Sequence, residues 1–503
     1  MTLKPTSFHK FCIVFALIFY AAVAWFASGY YHADEHFQII EFAGIKTGAN
    51  TPNDLSFEYR EGIRPTLQPT IAYLILEFQE VFTSNPYIKA FLLRLLTAII
   101  GLLAIRLFIN ATLFLIEERL RNVYIISSYF IWFMPLVFTR FSSEAWSAIF
   151  IIFATTTLIN SKLPNPRQIF GIGLLLGTAF LFRYQSAFIS IGLIAWLLYN
   201  KRLNLKGFLQ MSSAILIIAL IGILIDTWFY DKWIITAWNY FNFNIIEDGA
   251  STFGTKPFLW YPYAIIKYTF LPIGILIGLS FLYLLLERRK SIFLFIFLPM
   301  FVVHCLIPHK EVRFLFPLAF IVTPVVFLFI QYVFKSTRDI FPNKFAIPTL
   351  AIISIICITL ANSIGLVALV SKTAGARSIH TGKYIYDNFK GDAITLYQTQ
   401  FAAPYAPFGV PLNFYKVENL TTKTIITPCD ITFKDINPNN INLVTFAFKD
   451  KLDTTCLSKN TTLEFTKLTQ SWPDWLVTLN EFYTAYETPE QTYLYKVDLK
   501  RQD

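Results

Sequence analysis

Charge is scarce in this 503-residue chain: only 15% of its residues are Asp, Glu, Lys or Arg, where soluble domains carry about 25%. Together with 55% hydrophobic residues and a mean hydropathy of +0.52, that shortage excludes a soluble globular protein. A cleavage signal is also missing. The first apolar run, Phe11 to Tyr31, has a basic flank in Lys4 and Lys10 but no small-x-small site, so it is expected to stay as an anchor. No internal repeat and no low-complexity segment is present. Cysteine is sparse: Cys12, Cys305 and Cys357 lie in apolar runs and read as packing residues. Cys429 and Cys456 lie in a polar tail and can pair if that tail is extracytoplasmic.

What the chain does have is apolar runs long enough to cross a bilayer, which takes about 20 residues per helix. They fall at roughly 11–30, 90–116, 123–139, 144–160, 168–183, 187–200, 207–225, 263–286, 291–308, 314–334 and 345–370. The expected fold class is therefore an all-α polytopic membrane protein of about eleven transmembrane helices. Residues Thr66 to Phe82 are apolar but short, and are expected to lie at the interface or to re-enter. The net charge of +10 does not point to nucleic acid, because the basic residues sit in short loops between the apolar runs.

That charge distribution also orients the chain. One set of loops carries Lys4 and Lys10, Arg119 and Arg121, Lys162 and Arg167, Lys201 and Arg202, Arg288 to Lys290, and Lys335 to Lys344. The opposing loops are longer and more acidic. By the positive-inside rule, Tyr31–Lys89, Asp226–Pro262, His309–Arg313 and the tail after Ser371 are expected on the outer or lumenal side. Residues 1–371 then form a transmembrane domain with outer loops 31–89 and 226–262. Residues 372–503 are expected to form a small C-terminal α/β extracytoplasmic domain. Within it Ala393–Gln398, Leu443–Phe448, Thr462–Thr466 and Thr492–Leu499 alternate as strands do, and Ser378–Phe389 and Pro473–Phe482 have helical periodicity.

The polar residues that carry chemistry gather in the predicted outer loops. His32-Ala33-Asp34-Glu35-His36 packs two carboxylates and two imidazoles against the end of the first apolar run, a costly placement unless these groups have partners or a task. After it Phe37, Ile40, Ala43 and Gly44 share a helical face that Gly48 can end. Asp34 reads either as the N-cap of that helix or as a catalytic carboxylate. Neighbouring helical residues point about 100° apart, so Asp34 and Glu35 cannot both address one substrate atom; one is the base candidate and the other a partner. Arg64, in a turn shaped by Gly62, Pro65 and Pro69, suits a phosphate or carboxylate or snorkels at the interface. The 226–262 loop is dense in aromatics and amides, among them Trp233, Trp238, Asn239 and Asn244. That composition suits a sugar site or an interfacial aromatic belt. His309, Lys310 and Arg313 place three potential cations on the side where positive charge is disfavoured, which suits a lipid phosphate.

These stretches resemble the motifs of the dolichyl-phosphate-mannose-dependent mannosyltransferases of glycosyltransferase family 22. That family includes the GPI-anchor and lumenal N-glycan-precursor mannosyltransferases. His32-x-Asp34-Glu35-x-Phe37-Gln38 is similar to its His-Pro-Asp-Glu-x-x-Gln signature, with Ala33 in the proline position. Glu58-Tyr59 through Gly62-Ile63-Arg64 and Pro69, Asp226 to Asn244, Phe253 to Tyr261, and His309-Lys310-Glu311-x-Arg313-Phe314 resemble further family elements in the family's order, as does Thr139 to Glu144. Phe57 replaces the family's tryptophan, and the tail aligns only loosely.

The resemblance implies a GT-C fold and an inverting enzyme. Its partners would be a polyprenyl-phosphate-mannose donor, a glycan or glycolipid acceptor and the lipid bilayer, with no nucleic acid, cofactor or metal. Asp34 would be the base and Glu35 would orient the acceptor or a cation. His309, Lys310, Arg313 and Arg64 would bind the donor phosphate, and Trp233, Trp238, Asn239 and Asn244 would line the sugar or acceptor site. The membrane would be a bacterial inner membrane or that of the endoplasmic reticulum. Two other readings compete. A lipid-linked-sugar flippase would line its path with Arg94, Arg106 and Arg183, but no inverted repeat is visible. A metal hydrolase would use His32 and His36, but Ala33 stands where His-Glu-x-x-His has its glutamate, and a third ligand is missing.

Overall fold

The computed structural model describes residues 7–340, 346–447, 455–483 and 491–500. They form two compact units. The first comprises the described parts of Met1–Ala24, Glu61–Ile71 and Leu93–Val367; the second comprises those of Trp25–Arg60, Ala72–Leu92 and Ala368–Asp503.

Each apolar run expected from the sequence falls on a helix or a broken pair of helices. Among the described residues, five stretches are individually long and apolar enough to cross a bilayer: Ser7–Phe26, Pro86–Leu115, Leu205–Tyr230, Val312–Ser336 and Ile352–Ser371. Between them lie shorter apolar helices, including Ser143–Asn160, Pro166–Phe182 and Ala187–Tyr199. Helices Leu271–Glu287 and Ile292–Leu306 are bent 113° from one another across the basic turn Arg288–Ser291. The 123–139 run is broken at Ile131–Trp132 into Arg121–Phe130 and Phe133–Phe138.

In the first unit, local chemistry sets the helix starts. Asn165 caps Pro166–Phe182 by accepting from the Gln168 N–H, Gln168 returns the bond to the Asn165 N–H, and Pro166 occupies the first helical position. Asn204 and Ser142 cap Leu205–Tyr230 and Ser143–Asn160 by accepting from the Gly207 and Ala145 N–H groups. Hydroxyls inside the apolar helices donate back one turn, as Thr112 does to Phe108 O, Thr139 to Pro135 O and Thr178 to Leu174 O. That satisfies polar groups which would be costly to bury unpaired. Gly173 and Gly177 let Pro166–Phe182 close on Leu205–Tyr230: a Cβ at Gly173 would lie 2.6 Å from Met211 O, and one at Gly177 2.9 Å from Ile218 Cβ. Small residues four apart are what close helix approach in a bilayer needs.

The second unit is built on a five-stranded sheet: β1 Ile394–Gln398, β2 Leu420–Thr424, β3 Ile441–Ala447, β4 Leu463–Gln470 and β5 Thr492–Leu499. The order is β2-β1-β3-β5-β4, with β1 parallel to β2 and β3, and β5 antiparallel to β3 and β4. Alternation along the strands makes two cores. Leu396, Leu443 and Leu494 pack with Ile385 of helix Ala376–Phe389, while Tyr397, Val444 and Val497 pack with Ile431, Ile436 and Leu463. Cys429 is disulfide-bonded, Cys12, Cys305 and Cys357 are free, and the side chain of Cys456 lies outside the described residues.

Candidate functional site

In the first unit, segments far apart in sequence gather around Asp226. Its carboxylate, buried near the end of helix Leu205–Tyr230, accepts from the Thr66 N–H at 2.8 Å, the Thr66 hydroxyl at 2.6 Å and the Thr236 hydroxyl. The Thr236 hydroxyl also meets Tyr184 OH at 2.5 Å. One carboxylate therefore ties the Gly62–Thr66 turn to the aromatic loop. Arg64 lies between these anchors, with its carbonyl accepting from Tyr230 OH at 3.1 Å and its guanidinium 5.8 Å from the centre of the Tyr240 ring. Asn239 donates to Gly62 O at 3.3 Å, and Asn244 donates to Tyr240 O of its own helical turn at 2.9 Å. Trp233 and Trp238 are 72% and 58% exposed, so the amides shape the loop from within while the indoles face outward.

Gly62 sits at φ +60°, and a Cβ there would lie 2.3 Å from Ile234 Cδ1. Gly62→Ala is expected to lower stability by about 1–2 kcal/mol, the cost of the left-handed region for an L residue. The check is a melting curve of the purified protein; an unchanged midpoint would show that the turn relaxes out of this conformation.

The loop after helix Ile292–Leu306 brings His309, Lys310 and Arg313 together. His309 contacts Gly254 O through Nδ1 at 3.0 Å and Glu311 Oε1 through Nε2 at 2.8 Å. Both partners are acceptors, so only the doubly protonated imidazolium serves both. The same hydrogen bond to Glu311 raises the His309 pKa above its ordinary 6.5. Lys310 is buried and donates to Lys256 O at 3.0 Å and to Ile307 O; burial pulls its pKa below the usual lysine value. Arg313 donates from Nε to Glu311 and from Nη1 to Glu144 Oε1 at 3.2 Å.

Glu144 Oε1 also accepts from Arg183 Nη1 at 2.8 Å. Arg183, Glu144 and Arg313 are all buried, and the two guanidinium carbons lie 5.1 and 5.3 Å from the centre of the Phe314 ring. Of this Arg–Glu–Arg cluster, Arg313 is among the expected site residues and Glu144 and Arg183 are not, although both were visible as charges bordering apolar runs, a recognised mark of function in membrane helices.

In the second unit, Asp34 occupies the second position of the short helix Ala33–Phe37. The expectation that Asp34 caps this helix is corrected: His32 is the cap, its Nδ1 accepting from the Asp34 N–H at 3.3 Å. His32 can accept without strain because it is extended, at φ −134° and ψ 150°, and the Asp34 carboxylate is thereby released from capping. That carboxylate is partly exposed, with Oδ1 3.5 Å from His32 Nδ1.

Glu35 is buried and accepts from the Tyr31 N–H at 2.9 Å, holding the loop entry. His36 Nε2 meets Glu41 Oε1 at 2.9 Å, and its ring stacks on Tyr415 with centroids 5.2 Å apart. Glu41 accepts in turn from Asn50 Nδ2 and the Phe414 N–H, and Asn50 Oδ1 accepts from Asn413 Nδ2 at 2.8 Å. Gln38 donates to Glu58 at 2.9 Å. The expected helical face ends as foreseen, at Gly48 with φ +78°. Among the described residues no group of three or more His, Cys, Asp or Glu side chains could hold a metal ion.

Comparison with known proteins places these features in context. Residues 12–404 match the Alg9-like mannosyltransferase family. A GPI mannosyltransferase 3 from Candida albicans is 26% identical over 313 residues, covering 62% of each protein. One from Debaryomyces hansenii is 25% identical over 348 residues, covering 65% of this chain and 60% of that one. The chain thus spans less than two thirds of the length of these relatives. The crystal structure of ArnT from Cupriavidus metallidurans, bound to undecaprenyl phosphate, superposes with a TM-score of 0.53 at 13% identity over 97% of both chains. At that identity the likeness establishes the fold, GT-C, in a multi-pass membrane protein.

Proposed function

The chain belongs to the Alg9-like mannosyltransferase family, and from that premise we propose that it is an inverting mannosyltransferase. It takes mannose from a polyprenyl-phosphate donor and passes it to a glycan or glycolipid acceptor on the outer or lumenal face of its membrane. The observation that carries the reading is the cation cluster on the His309–Arg313 loop, fixed in advance by Glu311 and Glu144. Charges held in place before the reaction stabilise a developing anion without reorganisation. The ArnT structure that shares the fold was bound to a polyprenyl phosphate, which supports assigning that cluster to the donor phosphate.

In this mechanism the Asp34 carboxylate accepts the proton of the acceptor hydroxyl. The hydroxyl oxygen forms the new bond to the anomeric carbon as the bond to the phosphate oxygen breaks. The departing polyprenyl phosphate gains charge, which His309, Lys310 and Arg313 stabilise, with Arg64 in the same role. Glu35, spent on the Tyr31 N–H, positions the Asp34 helix. The exposed Trp233 and Trp238 rings offer apolar faces to a sugar, and Asn239 and Asn244 keep the loop in shape for them.

The test uses protein reconstituted in vesicles with synthetic polyprenyl-phosphate-mannose and a lipid extract as acceptor source, with products read by mass spectrometry. Transfer from the polyprenyl donor with an inverted, α-linked product is expected. Transfer only from a nucleotide sugar would overturn the reading.

The protonated His309 gives a pH signature. Its folded pKa lies above the ordinary 6.5, so its contribution to stability is complete below 6.5 and is lost as pH rises through the folded value. A donor phosphate would favour the same charged form. The KM for donor is expected to rise as pH climbs through the raised His309 value in the wild type and to stay level over the same range in His309→Gln. A parallel rise in the variant would remove His309 from donor binding.

A further inference from the structure

The second unit contains a cavity of about 730 Å³, within the 300–1,000 Å³ range of small-ligand sites. Its wall is drawn from helix Ile40–Thr47, the end of helix Leu67–Glu80, the start of helix Pro86–Thr112 and the tail segments around Lys390 and Lys416. We propose that this cavity binds the neutral glycan portion of the acceptor, upstream of the hydroxyl that reacts. The proposal rests on the transferase reading above and adds to it a place and a chemical class for the acceptor.

Charge separates this cavity from the donor cluster. The cluster in the first unit sets four cations, His309, Lys310, Arg183 and Arg313, against two carboxylates, Glu144 and Glu311. The cavity is close to balanced, with Glu41, Glu77, Glu80 and Glu418 facing Lys89, Lys390 and Lys416. Lys89 and Glu80 pair with one another, and Glu41 is committed to His36 and Asn50. The remaining charged groups, Glu77, Glu418, Lys390 and Lys416, are exposed and of both signs. Such a set offers donors and acceptors to hydroxyl groups without favouring an anion.

Asn413 adds amide chemistry. It donates one proton to Asn50 Oδ1, which leaves its carbonyl and second amide proton for a ligand. Phe414 and Tyr386 add ring surface to the lining, so polar groups and aromatic faces line the same cavity.

Position supports the same occupant. Ile40 lines the cavity and stands six residues after Asp34, so the chain itself limits their separation to about 20 Å. A short oligosaccharide can span that gap. The chain from buried His36, Glu41 and Asn50 to the half-buried Asn413 then has a use: it locks the tail segment of the cavity to the loop that carries Asp34.

The experiment measures binding to the full-length protein in detergent by saturation-transfer NMR. The probes are the neutral disaccharides mannobiose and chitobiose, with glucose 6-phosphate as an anionic comparison. At least one disaccharide is expected to bind saturably. Its affinity should fall about tenfold or more in Lys390→Ala/Lys416→Ala/Glu418→Gln, three exposed changes that leave the melting temperature in place. Asp34→Asn should bind the disaccharide as the wild type does.

Absence of saturable binding by either disaccharide, equal affinity in the triple variant, or tighter binding of glucose 6-phosphate would each overturn the proposal. The two readings fail separately. Mannose transfer absent while the disaccharide binds at this cavity would defeat the transferase reading, and transfer unaffected by the triple variant would defeat this one.

Discussion

Asp34→Asn is expected to slow mannose transfer by about 10²–10⁴-fold, the usual contribution of a positioned general base, while leaving the fold intact. The exchange preserves shape and the contact that organises the helix start, because His32 Nδ1 accepts from the backbone N–H of residue 34 and not from its side chain. The ability to take a proton is lost, together with the negative charge. Glu35 supplies the internal comparison. Its buried carboxylate accepts from the N–H of the more exposed Tyr31, and a glutamine carbonyl can do the same, so Glu35→Gln is expected to be far milder. Glu35→Ala would remove that hydrogen bond, at about 1–3 kcal/mol, and should show in the melting curve before it shows in the rate. Initial rates with synthetic polyprenyl-phosphate-mannose decide the matter. If Asp34→Asn keeps more than about a tenth of the wild-type rate, the proton has another acceptor.

The contrast between Asp34 and Glu144 also shows what a sequence makes legible. The apolar runs were readable because bilayer crossing demands length and hydropathy, and both are local properties. The strands β1, β3, β4 and β5 were readable from their alternating, β-prone stretches, although β1 and β3 are buried on both faces. β2, Leu420–Thr424, carries four exposed residues out of five and little apolar pattern, so its parallel pairing with β1 is a tertiary fact. Capping failed as a local inference at Asp34: a histidine took the cap, a role in which Asp, Asn, Ser and Thr are expected. The clustering of His309, Lys310 and Arg313 followed from adjacency in one loop. Their partners did not. Glu144 reaches Arg313 across 169 residues of sequence and Arg183 reaches Glu144 across 39, and only helix packing brings them into register.

Glu144 is accordingly where the first unit should be most sensitive. Its Oε1 accepts from both Arg183 and Arg313, and all three side chains are at most 8% exposed. Glu144→Ala would leave two guanidinium groups in a site of low polarity with the shared counter-charge removed. Breaking a buried ion pair in this way costs about 3–5 kcal/mol, and burial means that added salt should not rescue it. Arg313 would keep Glu311, whereas among the described residues Arg183 would keep its hydrogen bond to Ser143 Oγ at 3.2 Å and no carboxylate partner, so the larger share of the loss should fall on Arg183. Arg183→Met in the Glu144→Ala background is therefore expected to recover stability, because it removes the stranded charge, while donor binding stays weak. Melting curves of the two single variants and the double variant, with donor KM measured alongside, give the cycle. If the double variant is no more stable than Glu144→Ala, the stranded Arg183 charge is not what destabilises it. If stability returns without donor affinity, the Glu144 bridge does what the phosphate reading requires: it holds two cations ready for an anion that arrives only with the substrate.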